Sequence, residues 1–168
     1  HAVLSAENHL KSFNGLTFVM VGDAPGIKPE SLNRLKTEML QNNLSGAFLV
    51  INCPENKPPW GRVIYRNGKP VKITEEKDAN PDELKINTLS SSHFIFKNQI
   101  MLNALKQINN HNKQKEYYLS DIIEILAKDS DLKTIEINDL REVYGANTPE
   151  ELIMLENYLA DRHSEEKI

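Results

Sequence analysis

The sequence predicts an α/β protein, a sandwich of helices on a mixed, mostly parallel sheet. Short apolar runs rich in β-branched residues recur at 16–21, 46–53, 93–96 and 133–137. Between them lie stretches whose apolar residues recur at helical spacing, and such alternation is the mark of a layered α/β fold. One Asn-Gly dipeptide, Asn67-Gly68, sits between two extended segments and marks an inserted hairpin. The chain has 168 residues, enough for one domain with a real core.

Taken in order, Ala2, Val3, Ala6 and Leu10 share a helical face, so 2–11 reads as a short amphipathic helix. Asn14-Gly15 turns the chain into the first strand. That strand stops at Gly22-Asp23, and Pro25 prevents it from continuing as a central strand. Pro29 opens a helix with Glu30 in its first turn, where negative charge suits the helix dipole. Its stripe of Leu32, Leu35, Met39 and Leu40 is expected to face the core, and Asn42-Asn43 ends it. A second strand at 46–53 leads into a loop, 54–60, with three prolines. The hairpin strands at 61–65 and 70–74 flank Arg66-Asn67-Gly68-Lys69. Asn80-Pro81-Asp82-Glu83 places an N-cap, a first-turn proline and a glutamate three residues on, and predicts a short helix.

After the strand at 93–96, residues 97–108 read as a helix with Ile100, Met101, Ala104, Leu105 and Ile108 inward. A polar loop at 109–113 precedes a helix at 119–128 carrying Ile122, Ile123 and Leu126. The strand at 133–137 follows. Thr148-Pro149-Glu150-Glu151 is a capping box opening a helix with Leu152, Leu155, Tyr158 and Leu159 on one face. Residues 163–168 read as a charged, frayed tail.

Net charge is −4 and no basic block marks a nucleic-acid or membrane surface. Cys53 is the sole cysteine, which excludes an intramolecular disulfide and fits a reducing, cytoplasmic compartment. No apolar run reaches the ~18 residues of a membrane helix. The first residues lack the features of a signal peptide and there is no initiator methionine, so the chain is expected to begin inside a longer one. The five histidines, His1, His9, His93, His111 and His163, form no metal-ligand spacing.

A carboxylate just past the C-terminal end of a buried strand lies where open α/β sheets place their ligands, which makes Asp23 the first candidate for chemistry. The plainer alternative is a turn aspartate bonded to its own loop. Five stretches then carry a resemblance when taken in order. They are Val-Gly-Asp-Ala-Pro (21–25), Gly-Arg-Val-Ile-Tyr-Arg-Asn-Gly-Lys (61–69), Glu-Glu-Lys-Asp-Ala (75–79), Asn-Lys-Gln-Lys-Glu-Tyr-Tyr-Leu-Ser-Asp-Ile-Ile (112–123) and Gly-Ala-Asn-Thr-Pro-Glu-Glu-Leu (145–152). Together they resemble the nucleotidyltransferase (pyrophosphorylase) domain of bacterial bifunctional N-acetylglucosamine-1-phosphate uridyltransferase, over nearly the whole chain.

The resemblance implies a Rossmann-like nucleotide-diphospho-sugar transferase fold. It implies the reaction of UTP with N-acetylglucosamine 1-phosphate to give UDP-N-acetylglucosamine and pyrophosphate, a cytoplasmic step toward cell-wall peptidoglycan. It implies Mg²⁺ as cofactor. Val21, Gly22 and Asp23 match the strand-end segment that contacts nucleotide and sugar, with Asp23 the catalytic metal ligand. Asn147 matches the second ligand. One carboxylate and one amide oxygen suit Mg²⁺, which takes few protein ligands and leaves the rest to phosphate and water. Gly61 matches a glycine against the acetylated amino sugar, and Glu75 a glutamate that accepts from sugar hydroxyls. Glu116 and residues 117–121 match a stretch expected to be scaffold beside the sugar pocket. From the residues alone, the favoured reading of Asn147 is a turn before a helix and that of Glu75 a solvated strand-end carboxylate.

The chain also departs from the family. Residues 1–162 match the C-terminal two-thirds of the domain, and His1-Ala2-Val3 resembles the residues just after the family's Gly-Thr. The Gly-rich loop and basic residue that cradle the triphosphate, the uracil-reading residues and the first strands are not among them. Neither is the trailing left-handed β-helix acetyltransferase domain. The family's sugar-contacting Asn-Thr-Gly falls, counted without gaps, on Ser90-Ser91-Ser92; Asn87-Thr88 would serve only with a shift. Trp60 replaces a tyrosine, and Ala-Pro-Gly replaces Val-Pro-Leu after Asp23. The expectation is a nucleotidyltransferase piece that is inactive alone. Its apolar sheet edge near 16–21 would be covered by a protein partner, by self-association or by the rest of a longer chain. The alternatives are a degenerate, non-catalytic domain that binds a sugar phosphate or a protein, and a related enzyme for another sugar or base.

Overall fold

The computed structural model describes the backbone of residues 2–165 and side chains as far as residue 162. His1, the side chain of His163 and residues 166–168 of the expected tail lie outside the described residues. Two short helices, α1 (Ala2–Ser5) and α2 (Glu7–Leu10), replace the single helix expected there. Then come β1 (Leu16–Val19), α3 (Pro29–Gln41), β2 (Gly46–Asn52), the hairpin β3 (Arg62–Arg66) and β4 (Lys69–Thr74), and a 3₁₀ turn at Glu83–Lys85. The chain continues through β5 (Thr88–Lys97), α4 (Asn98–Leu105), α5 (Asp121–Leu126), β6 (Leu132–Ile137), a 3₁₀ turn at Leu140–Glu142 and α6 (Pro149–Glu165). The last helix runs three residues into the stretch expected as tail.

The strands form one six-stranded sheet in the order β4-β3-β5-β2-β6, with β1 paired to β5. The sheet is mixed, as expected, but it is not mostly parallel within the described residues. β5 runs antiparallel to β1, β2 and β3, and β3 antiparallel to β4. Only β2 and β6 are parallel. The connections explain this. A tight turn joins only antiparallel strands, and Asn67 and Gly68 both take positive φ in the β3–β4 turn. Parallel neighbours need a crossover, and α4 and α5 lie on the path that brings the chain back to β6.

The sheet buries both faces. On one, Phe48 and Val50 of β2 meet Phe94 and Phe96 of β5, under Met101 and Leu102 of α4 and Ile122, Ile123 and Leu126 of α5. On the other, Leu49 and Ile51 of β2 and Ile95 of β5 pack with Ile135 and Ile137 of β6 under Leu35 and Met39 of α3. The alternation along β2 thus serves two cores at once. Gly46 allows this closeness: a Cβ there would sit 2.5 Å from the ring of the fully buried Phe96.

The inner face of α3 differs from the expected stripe. Ser31, Leu35 and Met39 are buried, Leu32 is half-buried and Leu40 is exposed. Ser31 is accommodated on the buried face because its hydroxyl donates to the buried Glu142 carboxylate at 2.6 Å. On α6, Leu155 and Tyr158 are buried whereas Leu152 is exposed, so the helix rests on a narrower contact than its sequence suggested. Among the described residues β1 pairs with β5 alone, and Met20 and Val21 just beyond it are exposed.

Candidate active site

The segment after β1 carries Val21, Gly22 and Asp23 out of the sheet, and all three are exposed. It is held against the loop before α6, where the Ala146 N–H donates to the Asp23 carbonyl at 3.2 Å. The Asp23 carboxylate lies against Gly145, so that a Cβ at Gly145 would stand 2.8 Å from Oδ2. The structure therefore brings Asp23 beside the Gly145-Ala146-Asn147 run. Both line one cavity of about 190 Å³, with Trp60, Tyr144, Ser91 and Ser92. Trp60 and Tyr144 face each other with ring centroids 6.3 Å apart.

The capping box fixes the Asn147 backbone. Glu151 accepts from the Asn147 N–H at 2.7 Å and the Thr148 N–H at 3.0 Å, and its own N–H donates to the Thr148 hydroxyl. The Asn147 amide nitrogen donates to the Gly145 carbonyl at 3.4 Å, a long bond. Its Oδ1 and the Asp23 carboxylate have no hydrogen-bond partner among the described residues. A carboxylate and an amide oxygen are hard donors suited to Mg²⁺. Among the described residues no three of His, Cys, Asp and Glu gather as a metal cage.

A second cavity of about 240 Å³ lies on the other side of Val21 and Ser92 and is walled by Glu75, Tyr118 and Ser120. Glu75 follows β4. Gly61 is buried beside it, with space for a Cβ closed by Ile73 and by the Glu75 carboxylate at 3.4 Å. The Ser90 N–H donates to the Gly61 carbonyl at 2.9 Å, so Gly61, Glu75 and Ser90 are neighbours. Ser90 is buried and its hydroxyl accepts from the Ser92 N–H at 3.3 Å. It is Ser91 and Ser92, not Ser90, that reach the cavity walls.

Ser120 was not singled out from the sequence. It occupies the N-cap position of α5, yet its side chain makes no capping bond. Its hydroxyl donates instead to Glu75 Oε1 at 2.5 Å. The signal was a serine at an expected helix start, which reads as a cap until the fold supplies a carboxylate. Asp121, next along, shares a larger cleft of about 550 Å³ with Glu75, Asp78 and Glu124. Burial, and then the Glu124 and Glu75 carboxylates, push its pKa above the usual aspartate range. Glu116 is exposed, and its backbone N–H donates to the Asn112 side chain at 3.1 Å.

His93 is buried on β5, with Nδ1 2.7 Å from the Ser91 carbonyl. Nδ1 therefore carries the proton. Nε2 is buried without a partner, and burial holds the imidazole below its ordinary pKa, so it is a neutral core histidine. Arg62 anchors the loop at the mouth: it donates to the Trp60 carbonyl and pairs with Glu76 at 2.8 Å.

Known proteins share this arrangement of chain. The bifunctional protein GlmU of Clostridium perfringens is 37% identical over 163 residues, 96% of this chain and 36% of that protein. The chain is a homologue of part of the GlmU proteins. It spans about a third of the length of these relatives. A UDP-glucose pyrophosphorylase complexed with UDP-glucose superposes with a TM-score of 0.69 at 16% identity, over 96% of this chain and 62% of that one. A putative glucose-1-phosphate thymidylyltransferase from Bacillus anthracis, complexed with a sucrose, gives 0.66 at 18% identity, over 92% and 57%. The GlmU homologue thus has the nucleotide-sugar nucleotidyltransferase fold. No family model matches it. Among the described residues no helix is long and apolar enough to cross a membrane.

Proposed function

We propose that this GlmU homologue is the metal- and sugar-phosphate-binding part of a sugar-1-phosphate nucleotidyltransferase. The reaction is the transfer of a uridylyl group from UTP to N-acetylglucosamine 1-phosphate, releasing pyrophosphate. A phosphate oxygen of the sugar phosphate forms a bond to the α-phosphorus, and the bond from that phosphorus to the oxygen bridging to the β-phosphate breaks. The observation that supports this reading is the convergence of Asp23 with the Gly145–Asn147 loop on one side of Val21, and of Glu75 with Ser120 and Gly61 on the other.

Asp23 and Asn147 would hold Mg²⁺, which would supply charge neutralisation for the phosphates. The chain's own residues bind and orient. Glu75, fixed by Ser120, accepts from sugar hydroxyls; Gly61, with no side chain, lets Ile73 and the Glu75 carboxylate close in beside it and so helps set the position of Glu75; Val21 and Gly22 let the ligand approach the strand end. A glycine takes the backbone of Ser92, φ 61°, without strain, which supports the ungapped placing of the family's Asn-Thr-Gly on Ser90–Ser92. Residues 2–165 offer no Gly-rich loop to hold a triphosphate, so the isolated chain is read as inactive. Residues 1–162 are read as the later part of the domain. The unpaired edge of β1 is the place for a further strand, from the same polypeptide or a partner.

The burial of Ser90 supports a second reading, a non-catalytic sugar-phosphate-binding domain, because the amide expected there is replaced by a hydroxyl turned to the backbone. Pyrophosphate release decides between them. It is measured with UTP, Mg²⁺ and N-acetylglucosamine 1-phosphate, on the chain joined to whatever residues its gene encodes upstream. Release that Asp23→Ala abolishes supports the enzyme. A folded extended chain that binds the sugar phosphate without releasing pyrophosphate supports the second reading.

A further inference from the structure

Ser92 stands at the only irregularity in the β2–β5 pairing. Phe48 faces Phe94 and Val50 faces Ser90, so Leu49 alone is set against the three residues from Ser91 to His93. The excess length is taken up in a bulge in which Ser92 adopts φ 61°, a left-handed conformation that a side chain disfavours. The flanking residues hold it there. The Ser91 hydroxyl donates to the Leu49 carbonyl at 3.2 Å, His93 Nδ1 donates to the Ser91 carbonyl, and the Ser92 N–H donates to Ser90 Oγ. The Ser91 hydroxyl and the His93 ring are thus committed to the backbone, and Ser92 is presented outward. It is exposed, and its hydroxyl has no hydrogen-bond partner among the described residues.

Two residues, Val21 and Ser92, wall both cavities. One cavity offers a carboxylate and an amide oxygen, suited to a metal-bound phosphate. The other offers the Ser120-oriented Glu75 carboxylate beside the apolar Val19, Met20 and Leu119, suited to a hydroxylated ring with an apolar edge. A molecule that uses both must cross between Val21 and Ser92, and Ser92 brings the only polar side chain common to the two. We propose that the Ser92 hydroxyl contacts the ligand where the sugar joins its phosphate, donating to an ester or phosphate oxygen. The bulge exists to hold it there. Ser92 therefore selects a sugar 1-phosphate over a free sugar or free phosphate. This rests on the sugar-phosphate reading of the site.

The test is calorimetry of the 168-residue chain with Mg²⁺ and N-acetylglucosamine 1-phosphate, with N-acetylglucosamine and inorganic phosphate as separate probes. Ser92→Ala is expected to weaken the sugar phosphate about 5- to 10-fold, the loss of one hydrogen bond, with its melting temperature unchanged. Ser92→Gly relieves the backbone, so it should melt higher and still bind more weakly. Binding by Ser92→Ala equal to that of the parent overturns the proposal. If the parent binds and Asp23→Asn abolishes binding while both Ser92 variants match the parent, the site stands and this role for Ser92 falls. If the parent does not bind the sugar phosphate at all, both fall.

Discussion

Gly145→Ala separates the geometry of the cavity between Asp23 and Asn147, proposed above to hold Mg²⁺, from the stability of the fold. A Cβ at this position would stand 2.8 Å from Asp23 Oδ2 and 3.1 Å from its Cγ. Ordinary van der Waals contact requires about 3.4 Å or more, so the carboxylate must retreat by roughly half an ångström. Asp23 is exposed and its carboxylate is the free end of a short side chain, so it can swing away without disturbing the core. The substitution also lowers the entropy of the unfolded chain, worth ~0.4–1 kcal/mol in favour of folding. The melting temperature should therefore change little. Ligand geometry is less forgiving, because a site must be held within about 0.5 Å of its productive arrangement. Displacing one of two protein oxygens from a magnesium position by that distance is expected to weaken Mg²⁺-dependent binding of N-acetylglucosamine 1-phosphate about 10-fold. Calorimetry with Mg²⁺ and then with EDTA reads the effect. Unchanged Mg²⁺-dependent affinity in a normally folded Gly145→Ala chain would refute the reasoning that Asp23 holds the ion from this position.

Ser120→Ala removes the donor that fixes Glu75 and leaves a mobile carboxylate; affinity for the sugar phosphate should fall ~3- to 10-fold, and Ser120→Thr should restore most of it. Asp121 gives a pH-dependent effect whose sign follows from its raised pKa. The folded chain holds this proton more tightly than the unfolded chain. The stability it contributes is therefore present below the unfolded pKa and lost as pH rises through the folded value. Asp121→Asn should accordingly be more resistant to urea than the parent at neutral pH, and the advantage should shrink as the pH is lowered toward the ordinary aspartate value of ~3.9. An advantage that is constant with pH would assign the effect to something other than this carboxyl.

Much of the fold was legible because local signals and tertiary demands agree. The Asn67-Gly68 turn, the Thr148–Glu151 capping box and the inward Ile122, Ile123 and Leu126 are written in short stretches that need no partner. Strand direction was not legible: alternation of strands and helices suggests crossovers, and nothing in the residues of β5 announces that it runs against β1, β2 and β3. Its first half was missed because the bulge at Ser91–His93 interrupts the alternation on which strand reading rests. In the site, Asp23, Glu75, Gly61 and Asn147 could be named from their positions in the five stretches. The roles of Ser120 and Ser92 could not, because each depends on what faces it. A serine at a helix start reads as a cap, and a serine in a strand does not disclose a left-handed backbone.

What the 168-residue chain binds decides whether Asp23 holds a Mg²⁺-dependent sugar-phosphate site. Calorimetry with N-acetylglucosamine 1-phosphate, with UTP, and with each in the presence of Mg²⁺ or EDTA supplies the answer. The prediction is binding of the sugar phosphate that requires Mg²⁺ and is lost in Asp23→Ala, together with no measurable binding of UTP. UTP binding by this chain, or sugar-phosphate binding indifferent to Mg²⁺ and to Asp23, would contradict it.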